Sequence, residues 1–184
     1  MNRAWIIIGS IVAIILIVFL QYRSNFNTAN KLQKDVDKAW ANVQTSYQRR
    51  ADLIPQLVAT VKGAAANERG ILTEVTQARA GIVNAKTPEE MELMGKKINT
   101  AINLAFEAYP QIRSTENFSE LQSQLEGTEN RINYAREEYN NAVNLYDEHI
   151  TGFINEILLN KTRFPLKESF KAAEGSEKAP EVKF

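Results

Sequence analysis

From Ala4 to Leu20 the chain reads AWIIIGSIVAIILIVFL without a charge, and beyond it the apolar positions recur every three or four residues among polar ones. The first pattern predicts a membrane span. As a helix rising about 1.5 Å per residue, the run covers roughly 25 Å, close to the hydrocarbon thickness of a bilayer. Ile6, Ile7, Ile8 and Leu20 lie within it, and Trp5 and Tyr22 bracket it. Their amphipathic rings suit the two interfaces. A cleaved signal peptide has a shorter apolar region, and the QYRSNFN that follows offers no small-x-small cleavage pattern. Residues 1–24 are therefore expected to be an uncleaved anchor.

The second pattern predicts four helical segments. In the first, about Thr28 to Arg50, Leu32, Val36, Ala39, Trp40, Val43 and Tyr47 share one face. Whether it continues the anchor helix or follows a break at Asn25, Asn27 and Asn30 stays open. A turn is expected at Ala51–Pro55, with Asp52 as cap and Pro55 in the first turn of the next helix. That second segment carries Ile54, Val58, Val61, Ala65, Leu72, Val75 and Ile82 to about Ala85. Glu68 and Arg79 stand on the same stripe, either as edge residues with heads in water or as a polar contact with a partner.

Thr87-Pro88-Glu89-Glu90 opens the third segment as a capping box with proline at the first helical position. Its inner face is Met91, Met94, Ile98, Ala101, Ile102 and Ala105, and Tyr109-Pro110 ends it. The fourth, about Asn117 to Asn160, repeats in sevens through Phe118, Leu125, Ile132, Tyr139, Tyr146 and Phe153, with Val143, Ile150 and Ile157 widening the stripe. A heptad of this length predicts coiled-coil-like packing up to a stop at Phe164-Pro165. Short connections make such helices antiparallel neighbours. The expectation is an all-α protein: an N-terminal transmembrane helix, then an antiparallel up-and-down bundle over residues 25–164. The last stretch, 165–184, balances 4 Lys against 4 Glu and reads as a disordered tail, the alternative being that the spaced apolar beads Phe164, Phe170, Val182 and Phe184 dock on the bundle or on a partner.

Charge adds orientation and pairing. Arg3 alone precedes the span, whereas Arg23, Lys31, Lys34 and Lys38 follow it, which favours a cytoplasmic body, the alternative being a short MNRAW leader inside, as in signal anchors. Residues 21–86 hold 10 basic and 5 acidic side chains, net +5; residues 87–164 hold 7 basic and 13 acidic, net −6. The two halves attract, although exposed pairs contribute only tenths of a kcal/mol. Over the whole chain 22 Lys plus Arg balance 22 Asp plus Glu, so nothing points to nucleic acid.

The absence of cysteine excludes disulfides, thiol nucleophiles and Cys-ligated metals, and the single His149 excludes a multi-histidine site. Phosphate loops, dinucleotide fingerprints, nucleophile elbows and helical metal pairs are not present in the sequence. His149 falls on the apolar stripe and reads as a core or boundary residue. Arg49, Arg50 and Asp52 form the most concentrated charge cluster, at what the pattern makes a helix end. The helix dipole favours cations there, and about 40 Å of helix separates it from the anchor. With Glu68 and Arg79, these three are the candidate partner surface. No catalytic residue, cofactor, metal or small-molecule substrate is expected.

The blocks RRADLIPQLV and ELQSQLEGTENRI, within Ala39–Ala80 and Ala108–Val143, and the closing AAEGSEKAP from Ala172 to Pro180 resemble the bacterial LemA family. The resemblance implies a single-pass protein of the bacterial cell membrane with its N-terminus outside, its body in the cytoplasm and no established enzymatic activity. One branch of that family is associated with magnetosome membranes, which implies membrane organisation. After Lys62-Gly63, where the family often has aromatic and basic residues, this chain has Ala64-Ala65-Ala66-Asn67. Two functions follow as expectations. One is a membrane-tethered scaffold or adaptor that binds other proteins. The other is a self-assembling structural protein that shapes the membrane. The partners would be lipid, other proteins and further copies of the chain.

Overall fold

A computed structural model describes residues 3–60, 65–108 and 116–171, with side chains described except at 3–4, 56–60, 65–72, 74, 105–106, 108 and 116–118. The fold is all-α. Its helices are α1 (Arg3–Thr60), α2 (Ala65–Asn84), α3 (Pro88–Ala108), α4 (Glu116–Thr151) and α5 (Phe153–Leu158), and no strand occurs among the described residues.

Anchor and first segment form one helix, which answers the question the asparagines left open. The turn expected at Ala51–Pro55 is absent: α1 passes through Pro55 to Thr60. An internal proline removes one N–H···O bond and costs about 3 kcal/mol when nothing opposes it. Here Ala51 and Ile54 are buried, so core packing holds the turn helical. Arg49, Arg50 and Asp52 therefore lie inside a helix rather than at its end, and the dipole argument for them no longer applies.

The described chain divides into two compact units, drawn from Met1–Ala41 with Asn141–Lys167, and from Asn42–Asn140 with Glu168–Phe184. In the first, Ala29, Val36 and Ala39 of α1 are buried, as are Val143, Tyr146 and Ile150 of α4, and Leu159 and Phe164. The heptad does not run on to Asn160. Gly152 leaves helical geometry at ψ 138°, α4 ends, and the rotational phase is lost. Phe153 and Ile157, expected on the inner stripe, are exposed. Asn155 Nδ2 donates to the His149 carbonyl at 2.7 Å and so satisfies one acceptor orphaned by the break. The proline stop at 165 also comes late, because α5 already ends at Leu158. Asn160 then turns the chain, its Oδ1 accepting from Thr162 N at 2.8 Å and Arg163 N at 3.1 Å.

In the second unit, α2 and α3 form a hairpin across the short link 85–87. Its capping box is present in modified form: Glu90 N donates to Thr87 Oγ1 at 3.2 Å, while the Glu90 carboxylate reaches back to Lys86 N at 2.7 Å. Gln44 of α1 donates to the Ile82 and Ala85 carbonyls at the end of α2, at 3.2 and 3.4 Å. Gly95 of α3 passes against Tyr47 so closely that a Cβ there would stand 2.7 Å from the ring. Val43, Tyr47, Val75, Ile82, Met91, Ile98, Leu125, Ile132 and Tyr139 fill the core between these helices, on the faces their spacing predicts.

Residues 168–171, read as part of a loose tail, are seated on α4. Phe170 is buried, with its ring edge-on to Tyr139 at 5.5 Å. Val182 and Phe184 lie outside the described residues.

Candidate membrane anchor and partner surface

The first candidate site is the start of α1. Trp5, Ile6, Ile7, Ile8, Leu20 and Tyr22 are exposed, with every apolar side chain between Ile11 and Leu20. This is the one described helix long and apolar enough to cross a membrane, and none of its apolar window is buried among the described residues. The polar group inside the run is satisfied locally, because Ser10 Oγ donates to the Ile6 carbonyl at 3.0 Å. Hydrocarbon demands such internal satisfaction, whereas water does not. The arrangement is a candidate anchor by composition, length and exposure together.

At the foot of the run an aromatic and cationic cluster closes the first unit. Tyr22 and Phe26 lie 5.9 Å apart, and Phe26 meets Phe164 edge-on at 5.5 Å. The Arg163 guanidinium sits 5.1 Å from the Phe26 ring centre and donates to Asn30 Oδ1 at 3.3 Å. His149, read as a core or boundary residue, is half-buried, with Nε2 3.1 Å from the Asn25 carbonyl and Nδ1 3.4 Å from Asn155 Nδ2. A carbonyl oxygen only accepts, so Nε2 is the donor to Asn25.

The second candidate site is the charge cluster, and the structure disperses it. Asp52 pairs with Arg79 of α2 at 2.8 Å, both side chains about half exposed, which places Arg79 at the bundle edge. Arg50 turns inward and pairs with Glu129 of α4, joining the basic half of the chain to the acidic half. Burial lowers the Arg50 pKa, opposed by the neighbouring Tyr47. Arg49 faces solvent. Glu68 belongs to α2, but its side chain lies outside the described residues.

Sequence reasoning missed a row of hydrogen-bonding side chains on α4. Tyr139 and Tyr146 are the core aromatics the heptad predicts, yet their hydroxyls also donate to backbone: Tyr146 to the Pro165 carbonyl at 3.1 Å, Tyr139 to the Glu168 carbonyl at 3.0 Å. In the first unit, Asp147 Oδ1 accepts from Lys167 N at 3.2 Å. In the second, Arg136 pairs with Glu92 at 2.7 Å, donates to the Lys171 carbonyl at 3.1 Å and lies 4.7 Å from the Phe170 ring centre. Burial, then Asp147 and Asp37, pushes the Tyr146 phenol up to about 12. Burial also raises the Asp147 carboxyl, against the lowering effect of its bond to Lys167. The available signal was Arg136 three residues before Tyr139, Asn140 directly after it and Asp147 directly after Tyr146, with an apolar bead downstream at Phe170.

Long helices, an uncharged bare run at the start of the first one and a packed helical body define an all-helical protein with a candidate N-terminal anchor. Residues 39–184 match the LemA family, and the chain belongs to that family. It is 21% identical over 162 residues to Protein LemA of Metamycoplasma hominis, an alignment covering 86% of this chain and 74% of that protein.

Proposed function

We propose that the protein is a single-pass scaffold or adaptor of the bacterial cell membrane, non-enzymatic, which binds other proteins through its helical body. One observation carries the reading. α1 is an uninterrupted helix whose uncharged beginning is bare and whose later turns supply buried residues, so anchor and body share one helix. Bare apolar surface of that extent is unfavourable in water and favourable in lipid. The excess of Lys and Arg after the run supports a cytoplasmic body. Arg49 and the exposed Asp52–Arg79 pair supply a polar face on which a partner protein docks.

The test is mild crosslinking in membranes, then purification in detergent, comparing the native chain with a variant carrying Arg49→Glu and Arg79→Glu. Partners retained by the native chain and lost from the variant support the reading. Recovery of the protein alone argues against it.

The second reading is self-assembly that organises the membrane, favoured by the long heptad-patterned α4. A strictly monomeric protein at high concentration, with vesicles undeformed by the full-length chain, removes that reading.

A further inference from the structure

We infer that α5 is a second membrane contact: Phe153, Ile154 and Ile157 dip into the interfacial layer of the same bilayer that holds α1. The inference rests on the anchor reading above and adds a surface to it.

Three observations within the first unit carry it. The exposed side chains are large and apolar, at 82% for Phe153, 52% for Ile154 and 71% for Ile157. At positions i, i+1 and i+4 they fall on one side of the turn. Asn155 points away to His149, and Glu156 pairs with Lys161 at 2.8 Å on the remaining side. The turn is thus amphipathic, and its apolar side has no cover among the described residues.

The level of the turn is set by its neighbours. His149 meets the carbonyl of Asn25, five residues and roughly 7.5 Å of helix past Leu20. Tyr146, one turn earlier in α4, donates to the Pro165 carbonyl, beside the Arg163 and Phe164 that meet Asn30 and Phe26, so α4 runs antiparallel to α1 and its end points toward the apolar run. Arg163 and Phe164 return to the level of Phe26 and Asn30. Residues 150–162 therefore make an excursion from Asn25 toward Leu20 and back, with α5 inside it.

The occupant follows from that position. The anchor delivers α5 to the membrane surface, so the encounter is intramolecular and needs no second protein. Interfacial amphipathic helices seat their apolar side about 5–10 Å into the boundary between headgroups and acyl chains.

The chain has no cysteine, so single-site labelling is clean. Spin labels at Val12→Cys, Phe153→Cys, Glu156→Cys, Ile157→Cys and Tyr134→Cys, in the full chain reconstituted into nanodiscs of phosphatidylethanolamine and phosphatidylglycerol, report collisions with oxygen and with a water-soluble nickel chelate. All five side chains are exposed, so none of these substitutions removes a core contact. The inference expects an oxygen-to-nickel collision ratio several-fold higher at 153 and 157 than at 134, with 156 close to 134 and 12 the highest. Nickel-rich collisions at 153 and 157 beside oxygen-rich collisions at 12 overturn the contact and leave the anchor standing. Shielding of 153 and 157 from both reagents overturns it in favour of protein cover by a second copy. Nickel-rich collisions at 12 overturn the anchor, and the contact with it.

Discussion

Asn140 holds the backbone of Phe170 at both of its polar groups, accepting from Phe170 N at 2.8 Å and donating to the Phe170 carbonyl at 3.0 Å. A side-chain amide here does what a neighbouring strand does in a sheet, pairing one residue of extended chain at both donor and acceptor. The pair seats the Phe170 ring between Tyr139 and the Arg136 guanidinium. Asn140→Ala leaves a part-buried N–H and C=O without their partner, which costs about 1–3 kcal/mol. The expected outcome is a lower unfolding midpoint and fast amide exchange at Phe170. Asn140→Asp keeps the acceptor for Phe170 N but sets a carboxylate oxygen against the Phe170 carbonyl, so the Phe170 amide stays protected while the unfolding midpoint still falls. Unchanged protection of the Phe170 amide in Asn140→Ala sinks the claim.

Two glycines separate close packing from open helix surface. At Gly95 a Cβ meets the buried Tyr47 ring at 2.7 Å, and a ring packed in the core has little room to yield. Gly95→Ala is expected to destabilise by roughly 1–3 kcal/mol, offset in part by the better helix propensity of alanine. Around Gly127 of α4 nothing lies within 4 Å, so Gly127→Ala realises only the propensity gain, about 0.5–1 kcal/mol of added stability. Thermal unfolding by far-UV circular dichroism should move in opposite directions for the two. Shifts of the same sign contradict the packing account.

Removing the Thr87 hydroxyl should fray the start of α3. Thr87→Ala deprives Glu90 N of its acceptor and is expected to cost about 1 kcal/mol, while Thr87→Ser retains most of the cap. Hydrogen exchange at Glu89, Glu90 and Met91 is the readout, and equal exchange in Thr87→Ala and the native chain goes against it.

Alkaline pH should loosen the fold through Tyr146. Its folded-state value is raised to about 12 from an ordinary 10.0, so between those values the unfolded chain gives up the phenol proton first. The unfolded state then binds fewer protons, and stability falls as pH rises from about 10 toward 12. Buried Tyr47, also raised mainly by burial, adds to the same fall. Tyr146→Phe should lose stability at neutral pH with its hydrogen bond to Pro165, yet show a shallower alkaline decline. Parallel declines in variant and native protein exclude Tyr146 as a source.

Much of this was legible along the chain. The stripe Val36, Val43 and Tyr47, the heptad positions from Leu125 to Ile150 and the cap at Thr87 all depend on neighbours within about one or two helical turns, and the structure buries or bonds them as their spacing predicts. The misreadings share a different cause. Pro55 stays helical because distant core residues outweigh a local preference, and Arg50 turns inward because Glu129, nearly eighty positions on, is there to meet it.

By itself, then, the sequence determined the helical class, the faces that point inward and the bare apolar run, since a period of 3.6 residues and an uncharged stretch are local properties of the chain. Tertiary structure alone decided where Gly152 breaks the heptad out of register, which carbonyls Tyr139, Tyr146 and Asn140 reach, and that residues 168–171 lie on α4. Those outcomes depend on which groups long-range packing brings within about 3 Å, and hydrogen bonding at that range has no counterpart in sequence spacing.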